Sequence, residues 1–209
     1  MFFSFEGIDG SGKSTQARLL AQALRQRDYE VVEVREPGGT PLSEHIRSLL
    51  LDPDAIICAR AELLLFAAAR AQLVASVIAP ALGRGAVVIA DRFTDSSEAY
   101  QGGGRTLSDG AGSLSVSELN RFATHTISPM RTYLVDVSLE QAAERRGQRE
   151  LTDRMEADGP AFFERVRMTY LSLARVHSQR IQVVDGRDSI ESIHQAILTD
   201  ALSCLDDSI

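Results

Sequence analysis

The segment GIDGSGKST, residues 7–15, constrains the fold of this chain more than any other stretch. It matches the phosphate-binding pattern G-x-x-x-x-G-K-[ST], follows the apolar strand signal FFSFE and precedes the helical pattern TQARLLAQAL. In that context the glycines let backbone N–H groups turn toward phosphate oxygens, and the helix N-terminus adds a partial positive charge. The segment therefore predicts an α/β fold with a nucleotide-phosphate site at the end of its first strand.

The basic residue of this segment is unusual for the chain. Of the 22 lysines and arginines, Lys13 is the only lysine. A compact ammonium group fits between the β- and γ-phosphates of a nucleotide, where a planar guanidinium sits badly. Ser14 follows it and would offer its hydroxyl to Mg²⁺. We therefore predict that this segment binds a nucleoside triphosphate together with Mg²⁺.

Short apolar strand signals alternate with longer amphipathic helical patterns along the chain. The strand signals are FFSFE, YEVVEVRE, GAVVIAD, RTYLVDV and RIQVVD. Strands separated by helices, several of them almost continuously apolar, indicate a parallel sheet covered on both faces. We predict a single P-loop NTPase domain over residues 1–209, with a three-layer α/β/α fold. Its central five-stranded parallel sheet would be flanked by helices on both faces.

Several short segments predict where helices begin or where the chain loops. Residues 115–118 and 138–141 have the spacing of capping boxes, and Thr40 before a proline is typical of an N-cap. The polar, glycine-rich segment QGGGRTLSDGAGS, residues 101–113, is expected to be a loop. Residues 62–82 form a helix that is apolar nearly all round, which indicates burial on more than one side, inside the domain or against a second subunit.

Composition and charge exclude several classes of function. A net charge of −7 argues against a general nucleic-acid or membrane-surface role, because both favour a basic face. Cys58 and Cys204 are too few and too distant for a disulfide framework or zinc site, and fit buried thiols of a reducing cytoplasm. The apolar run 63–69 stops at Arg70, short of the ~20 residues of a membrane span. We expect a cytoplasmic protein without nucleic-acid or membrane partners.

The third strand signal ends in a second group of charged residues. AVVIAD closes on Asp91, and Arg92 follows directly. An apolar strand that ends in a carboxylate is typical of the second half of a nucleotide–Mg²⁺ site. An arginine at the carboxyl edge of the sheet suits a second phosphate. The chain has no N-K-x-D guanine-reading tetrapeptide, which weakens a GTPase interpretation.

Taken together, these motifs closely resemble those of the bacterial thymidylate kinase family. The resemblance rests on GIDGSGKST, REPGGT, the helix that contains Phe66 and Arg70, DRF followed by S-x-x-AYQGGG, and TDRME. It runs from about Phe3 to Glu156, and REPGGT and DRF…AYQGGGR are far more specific than the phosphate-binding loop. The resemblance implies an ATP-dependent kinase that converts dTMP to dTDP and acts as a homodimer.

The family resemblance also assigns roles to individual residues. The implied ATP-binding residues are Gly7, Ile8, Asp9, Gly10, Ser11, Gly12, Lys13, Ser14, Thr15, Arg145 and Arg146. The implied dTMP-binding residues are Asp9, Arg35, Glu36, Phe66, Arg70, Arg92, Ser97, Tyr100 and Gln101. Ser14 and Asp91 are the expected metal residues.

Within the acceptor site, the resemblance gives each main side chain a part. Phe66 would stack on the thymine ring and Arg70 would donate to its O4. Arg92 would hold the 5′-phosphate, and Tyr100 would lie where a 2′-hydroxyl would project. Asp9 would face the sugar 3′-hydroxyl or the waters of the magnesium ion.

The remaining catalytic charge is expected from a lid at about residues 145–156. Some relatives place an arginine inside the phosphate-binding loop, but this chain has Gly10 there. Four arginines of the segment RRGQRELTDR are therefore candidates for contacting the transferring phosphoryl group. Arg149 is the first choice among them, since glycine and glutamine precede it, and it completes the predicted catalytic set of Lys13, Asp9, Arg92 and Arg149.

Two alternatives stay open at this point. A different nucleoside or nucleoside-monophosphate kinase would use the same phosphate machinery, and Glu36 could then serve a nucleoside kinase as general base. A non-catalytic P-loop switch would bind nucleotide and signal by conformation, but it has no need of a second phosphate site.

Overall fold

The five predicted strands form one parallel sheet. In the computed structural model, which describes residues 1–107, 115–147, 154–155 and 158–206, the strands are β1 (Phe2–Glu6), β2 (Val31–Arg35), β3 (Val87–Asp91), β4 (Arg131–Asp136) and β5 (Ile181–Asp185). Their order is β2-β3-β1-β4-β5. The phosphate-binding loop thus leaves the central strand, and the predicted fold class is confirmed.

Helices connect the strands and cover both faces of the sheet. The α-helices are α1 (Lys13–Arg25), α2 (Pro41–Leu51), α3 (Ala59–Leu73), α4 (Ala79–Gly83), α5 (Thr94–Ser97), α6 (Val116–Thr124), α7 (Leu139–Arg146), α8 (Pro160–Val176) and α9 (Ile190–Asp206). Two π-helical segments, Val74–Ile78 and Glu98–Gly104, continue α3 and α5.

The alternation of side chains along β1 separates two hydrophobic layers. Phe3 and Phe5 pack with Tyr133 of β4 against α1 and α9. Phe2 lies on the opposite face, where it meets Phe93 with ring centroids 4.9 Å apart. Truncating a buried phenylalanine of this kind to alanine costs about 3–5 kcal/mol. These layers hold the carboxyl edge of the sheet, and hence the site, in place.

The local start signals of the helices are present in the structure. Both capping boxes form, at Ser115 for α6 and at Ser138 for α7. The Thr40 side chain accepts from Ser43 N–H at the start of α2, and Pro41 occupies the first turn. Each of these caps satisfies backbone N–H groups that would otherwise lack partners, worth about 1 kcal/mol apiece.

The expectation of a loop at residues 101–113 is wrong for its first part. Residues 101–104 belong to the π-helical segment Glu98–Gly104. Gly103 and Gly104 lie so close to α8 that a Cβ atom there would collide with Thr169 and Phe162. The glycines therefore allow helix packing rather than a turn. Residues 108–113 lie outside the described residues.

The apolar segment 62–82 belongs to a continuous helix, Ala59–Gly83. It packs against α2 and α6, while Leu64 on its outer side is 57% exposed. Of the residues that the structure describes, this helix alone is long and apolar enough to span a membrane, with a mean hydropathy of 1.7 over 18 residues. Core helices share those properties, and this one buries Glu62 and Arg70 among polar partners inside the domain.

Candidate active site

A cavity of about 680 Å³ opens at the carboxyl end of β1, around the phosphate-binding loop. Its walls include Asp9, Gly10, Ser11, Gly12, Lys13, Ser14, Thr15, Gln16, Arg145, Gly186, Asp188 and Ile190. Seven of the nine predicted loop residues, 9–15, thus line one cavity. Gly7 and Ile8 are buried behind it.

The conformation of the loop explains its glycines. Gly7, Gly10 and Gly12 have positive φ angles of 140°, 89° and 99°. A side chain on Gly7 would collide with the Val135 carbonyl, and one on Gly10 with that of Ala142. Only glycine combines these backbone angles with such close approach. The backbone can therefore curl around an anion at the start of α1.

Asp9 joins the two cations predicted to contact phosphate. Its Oδ1 accepts a hydrogen bond from Lys13 Nζ at 3.0 Å and another from Arg92 Nη2 at 2.8 Å. Burial alone would raise the pKa of Asp9, but the attraction of both cations outweighs it and holds that pKa well below its usual range. Asp9 is therefore an anion that pairs with both cations and leaves them with one net positive charge.

Arg92 is held from several sides. It has a positive φ of 72°, which is uncommon for a side chain of this size. Nη1 donates to the hydroxyls of Ser96 at 3.1 Å and Tyr170 at 3.2 Å, and Nη2 donates to Tyr100 at 3.1 Å. The guanidinium carbon also lies 5.0 Å from the centroid of the Tyr100 ring. This strained, fixed arrangement is typical of a functional position.

A buried carboxylate supports Arg92 from behind. Glu6, the last residue of β1, is fully buried and accepts from Phe93 N–H at 2.8 Å. Its Oε2 also accepts from Ser96 at 2.6 Å and from Tyr170 at 2.8 Å. Burial and the charge of Asp95 raise the pKa of Glu6 to about 7. Sequence reasoning missed Glu6, because its only signal was a carboxylate at the end of an apolar strand.

A second cavity of about 220 Å³ lies beside Arg92. It is lined by Asp9, Glu36, Pro37, Arg47, Leu51, Phe66, Arg92, Ser96, Ser97, Tyr100, Gln101 and Met155. Seven of the nine predicted acceptor residues are in this set. The Oγ of Ser97 and the Oε1 of Glu36 are buried there without a hydrogen-bond partner among the described residues. The cavity thus offers polar groups to a ligand as well as an aromatic wall.

Arg35 and Arg70, the other two predicted acceptor residues, do not line this cavity. Arg35 is exposed and pairs with Glu44 at 3.0 Å. It is the last residue of β2, and successive strand residues face opposite sides, so Arg35 and Glu36 diverge. Arg70 is only 1% exposed and bonds Glu36 at 2.6 Å and Asn120 at 2.6 Å. It thus supports the cavity wall through Glu36.

The two predicted metal residues lie together. Ser14 and Asp91 line one cleft between β2, β3 and α1, and Ser14 also lines the cavity around the phosphate-binding loop. Asp91 Oδ1 is buried and has no hydrogen-bond partner within the part of the chain that the structure describes. The described residues contain no cluster of three or more His, Cys, Asp or Glu side chains that could hold a metal. Mg²⁺ needs only one or two protein oxygens when phosphates and water complete its shell, so this pair fits it.

The lid arginines are described only in part. Arg145 lines the cavity around the phosphate-binding loop, here called the donor cavity. It donates there to the carbonyls of Ser11 at 3.1 Å and Gly186 at 2.6 Å. Arg154 instead donates to Leu50 O and to Glu62, away from the phosphate-binding loop. Arg149 and the side chain of Arg146 lie outside the described residues, as do residues 148–153 and 156 of the predicted lid.

The donor cavity also includes residues that sequence reasoning missed. Gly186, Asp188 and Ile190 come from the turn after β5 and the start of α9. The signal that could have found them is topological, because the carboxyl ends of parallel strands share one edge of the sheet. In the same way, Met155 and Leu51 come from distant segments to line the second cavity, beside Arg92, which is called the acceptor cavity from here on.

The sequence between residues 5 and 197 matches the family model for thymidylate kinase. That match covers most of the chain, including both cavities. The chain belongs to the thymidylate kinase family. Members of this family named thymidylate kinase are similar to it over nearly their whole length.

The relative from Thermosipho africanus is 49% identical over 197 residues, which cover 94% of this chain and 95% of that protein. A thymidylate kinase from Pseudomonas putida is 47% identical, with 94% of each chain covered. The crystal structure of thymidylate kinase from Ehrlichia chaffeensis superimposes with a TM-score of 0.74 at 33% identity, covering 97% of this chain and 98% of the other. The thymidylate kinase family resemblance of the motifs is therefore confirmed.

Proposed function

We propose that this protein transfers the γ-phosphoryl group of ATP to dTMP, giving ADP and dTDP for dTTP synthesis. The observation that carries this proposal is the meeting of two cavities at Asp9, where one carboxylate oxygen binds both Lys13 and Arg92. Two anionic substrates placed on these cations would bring their phosphates into line. Membership of the thymidylate kinase family supplies the identity of the acceptor.

On the donor side, the loop of residues 7–15 holds the ATP phosphates with its backbone N–H groups. Lys13 contacts the β- and γ-phosphates, and Arg145 lines the same cavity. Ser14 and Asp91 are the residues that would hold Mg²⁺, directly or through water. When bound, Mg²⁺ neutralises charge on the phosphate oxygens and orients them.

On the acceptor side, Arg92 binds the 5′-phosphate of dTMP. Phe66 forms the aromatic wall for the base, and Ser97 and Gln101 supply polar groups beside it. Tyr100 is buried against Arg92 and favours a sugar without a 2′-hydroxyl. Donation from Arg70 to thymine O4 stays a prediction, because Arg70 is paired with Glu36 and does not line the cavity.

The mechanism requires positioning and charge neutralisation rather than a strong base. A phosphate monoester has a second pKa of about 6, so the acceptor is already mostly dianionic near neutral pH. Lys13 and Arg92 neutralise the two phosphates from the fixed side of the site. Arg149, in the lid, is the proposed additional charge on the transferring group.

The proposed assembly is a homodimer in the cytoplasm. The exposed apolar side chains Leu64 of α3 and Phe122 of α6, the latter 82% exposed, support a partner surface on these two adjacent helices. Neither Cys58 nor Cys204 is in a disulfide, which suits a reducing compartment. Cys204 is buried as expected, but Cys58 is exposed, so the expectation of two buried thiols is wrong for Cys58.

Phosphoryl transfer from ATP·Mg²⁺, measured across dTMP, dUMP, UMP, CMP, dGMP and thymidine, tests the proposal. We expect strong preference for dTMP, with thymidine inert. Preference for another monophosphate would keep the phosphate machinery and discard the roles given to Phe66 and Tyr100. ATP hydrolysis with no acceptor used would instead indicate a P-loop switch.

A further inference from the structure

A carboxylate that sequence reasoning did not single out lies directly behind the acceptor cavity. Glu62 of α3 has no exposed surface, yet it is saturated with donors. Its Oε1 accepts from Gln101 Nε2 at 2.9 Å and from Arg105 Nε at 3.1 Å. Its Oε2 accepts from Arg105 Nη2 at 3.1 Å and from Arg154 Nη2 at 2.7 Å. Four hydrogen bonds from three side chains therefore converge on one buried anion.

The charge on Glu62 fixes the orientation of the Gln101 amide. Burial would raise the pKa of Glu62, but the hydrogen bonds from Arg105, Gln101 and Arg154 outweigh it and lower that pKa. An ionised carboxylate can only accept hydrogen bonds. The amide of Gln101 must therefore turn its nitrogen toward Glu62, which leaves its carbonyl oxygen at the opposite end.

Gln101 also lines the acceptor cavity, as do Ser97 and Phe66. We propose that Glu62 is a positioning residue for base selection, because it makes Gln101 present an acceptor, Oε1, to the base. An acceptor at this point suits a pyrimidine whose ring nitrogen N3 carries a hydrogen, as in thymine or uracil. This inference rests on the proposed function, since it takes the cavity to be the nucleotide-acceptor site.

The same arrangement works against cytosine. The N3 atom of cytosine is a lone-pair acceptor, so it would face the Gln101 oxygen with no hydrogen between them. Flipping the amide to present its nitrogen would turn the oxygen against the Glu62 carboxylate instead. In either orientation the Gln101 oxygen meets a second hydrogen-bond acceptor, cytosine N3 or the Glu62 carboxylate, away from water. Sites with such an unpaired contact favour the matching substrate over the mismatched one by about 100-fold or more.

The substitution Glu62→Gln tests the idea, because it keeps the shape and removes the charge. The Oε2 position meets two arginine donors, whereas the Oε1 position meets one arginine and Gln101. The introduced amide nitrogen is therefore expected at the Oε1 position, where Gln101 can satisfy it only by flipping. We expect the ratio of kcat/KM for dTMP to that for dCMP to fall at least about 10-fold. The kcat/KM for dUMP should fall by about the same factor as the kcat/KM for dTMP.

Arg105→Gln is the matched control, since it removes two hydrogen bonds from the same carboxylate without touching the Gln101 amide. Its dTMP/dCMP ratio should stay within about twofold of the wild-type value. Gln101→Met removes the amide altogether and should lower the ratio by itself. Adding Glu62→Gln to Gln101→Met should then change the ratio no further. If Glu62→Gln does not fold, an unchanged ratio in Gln101→Met still overturns the proposal, because Glu62 acts on the base only through Gln101.

The outcomes separate this inference from the proposed function. A wild-type protein that prefers dTMP, together with an unchanged dTMP/dCMP ratio in Glu62→Gln or in Gln101→Met, overturns the role of Glu62 and leaves the proposed function intact. If kcat/KM falls by the same factor for dTMP and for dCMP in Glu62→Gln, the role of Glu62 is merely structural and the inference is likewise overturned. A wild-type protein that does not use dTMP overturns the proposed function itself.

Discussion

The hydroxyl of Tyr170 offers a direct test of how Arg92 is positioned. Arg92 Nη1 donates to the Tyr170 hydroxyl at 3.2 Å, and that hydroxyl donates in turn to Glu6 at 2.8 Å. Ser96 makes the same connection at 3.1 and 2.6 Å. Tyr170→Phe would remove one of these two links and preserve the ring, which packs edge-on against Tyr100.

The expected size of the effect follows from this geometry. A hydrogen bond to a charged group contributes about 1.5–3 kcal/mol. Arg92 keeps its bonds to Ser96, Tyr100 and Asp9, so we take the lower end, about 1.5 kcal/mol. That value corresponds to roughly tenfold weaker binding of dTMP. Thymidine lacks the phosphate that Arg92 would bind, so its affinity should change less than about twofold.

Isothermal titration calorimetry with dTMP, and competition by thymidine, would measure both affinities. Tyr133→Phe is a suitable control, because its hydroxyl is also buried and bonded, to Asp200 at 2.9 Å, but lies on the other face of the sheet. It should leave dTMP binding unchanged. Equal losses for dTMP and thymidine in Tyr170→Phe would show that packing, rather than phosphate recognition, was disturbed. Unaltered or tighter dTMP binding would refute the supporting role of Tyr170.

Four further predictions concern charge at the site. Lys13→Arg should lower kcat at least about 100-fold, since a planar guanidinium does not replace the ammonium; activity within tenfold of wild type would contradict this. Arg149→Ala should lower kcat about 100-fold with a smaller change in KM for dTMP, as steady-state kinetics would reveal. Asp91→Asn should raise the Mg²⁺ concentration needed for half-maximal rate about tenfold. The pKa of Glu6 is raised from 4.5 to about 7, so the folded protein binds this proton more tightly than the unfolded chain and the free energy of unfolding falls as pH rises from about 4.5 to 7. Urea unfolding of Glu6→Gln should lack that loss, which is at most about 3 kcal/mol. The same dependence of unfolding free energy on pH in Glu6→Gln and wild type would argue against this prediction.

The sequence was informative wherever the cause of structure is local. The strands, the capping boxes at Ser115 and Ser138 and the phosphate-binding loop depend on residues within a few positions of one another, and all of them form. Seven of nine loop residues and seven of nine acceptor residues line their expected cavities.

Features that depend on contacts between distant segments could not be predicted from local sequence patterns. Gly103 and Gly104 predicted a loop, but their meaning comes from α8, which packs directly on them. Tyr170 and Glu62 carry no local motif, because their roles arise only when helices meet behind the two cavities. Arg35 was grouped with Glu36 by sequence adjacency, although neighbouring strand positions face opposite sides.

The position of Asp9 has a consequence for how the two substrates depend on each other. Asp9 is a wall of both cavities, and one of its oxygens compensates one cation from each. When a phosphate binds Lys13, Asp9 interacts less with Lys13 and more with Arg92. When a phosphate binds Arg92, Asp9 likewise interacts more with Lys13. Thermodynamic linkage requires the two effects to be identical in size. The dissociation constant of ATP measured with and without dTMP should therefore change by the same factor as that of dTMP measured with and without ATP.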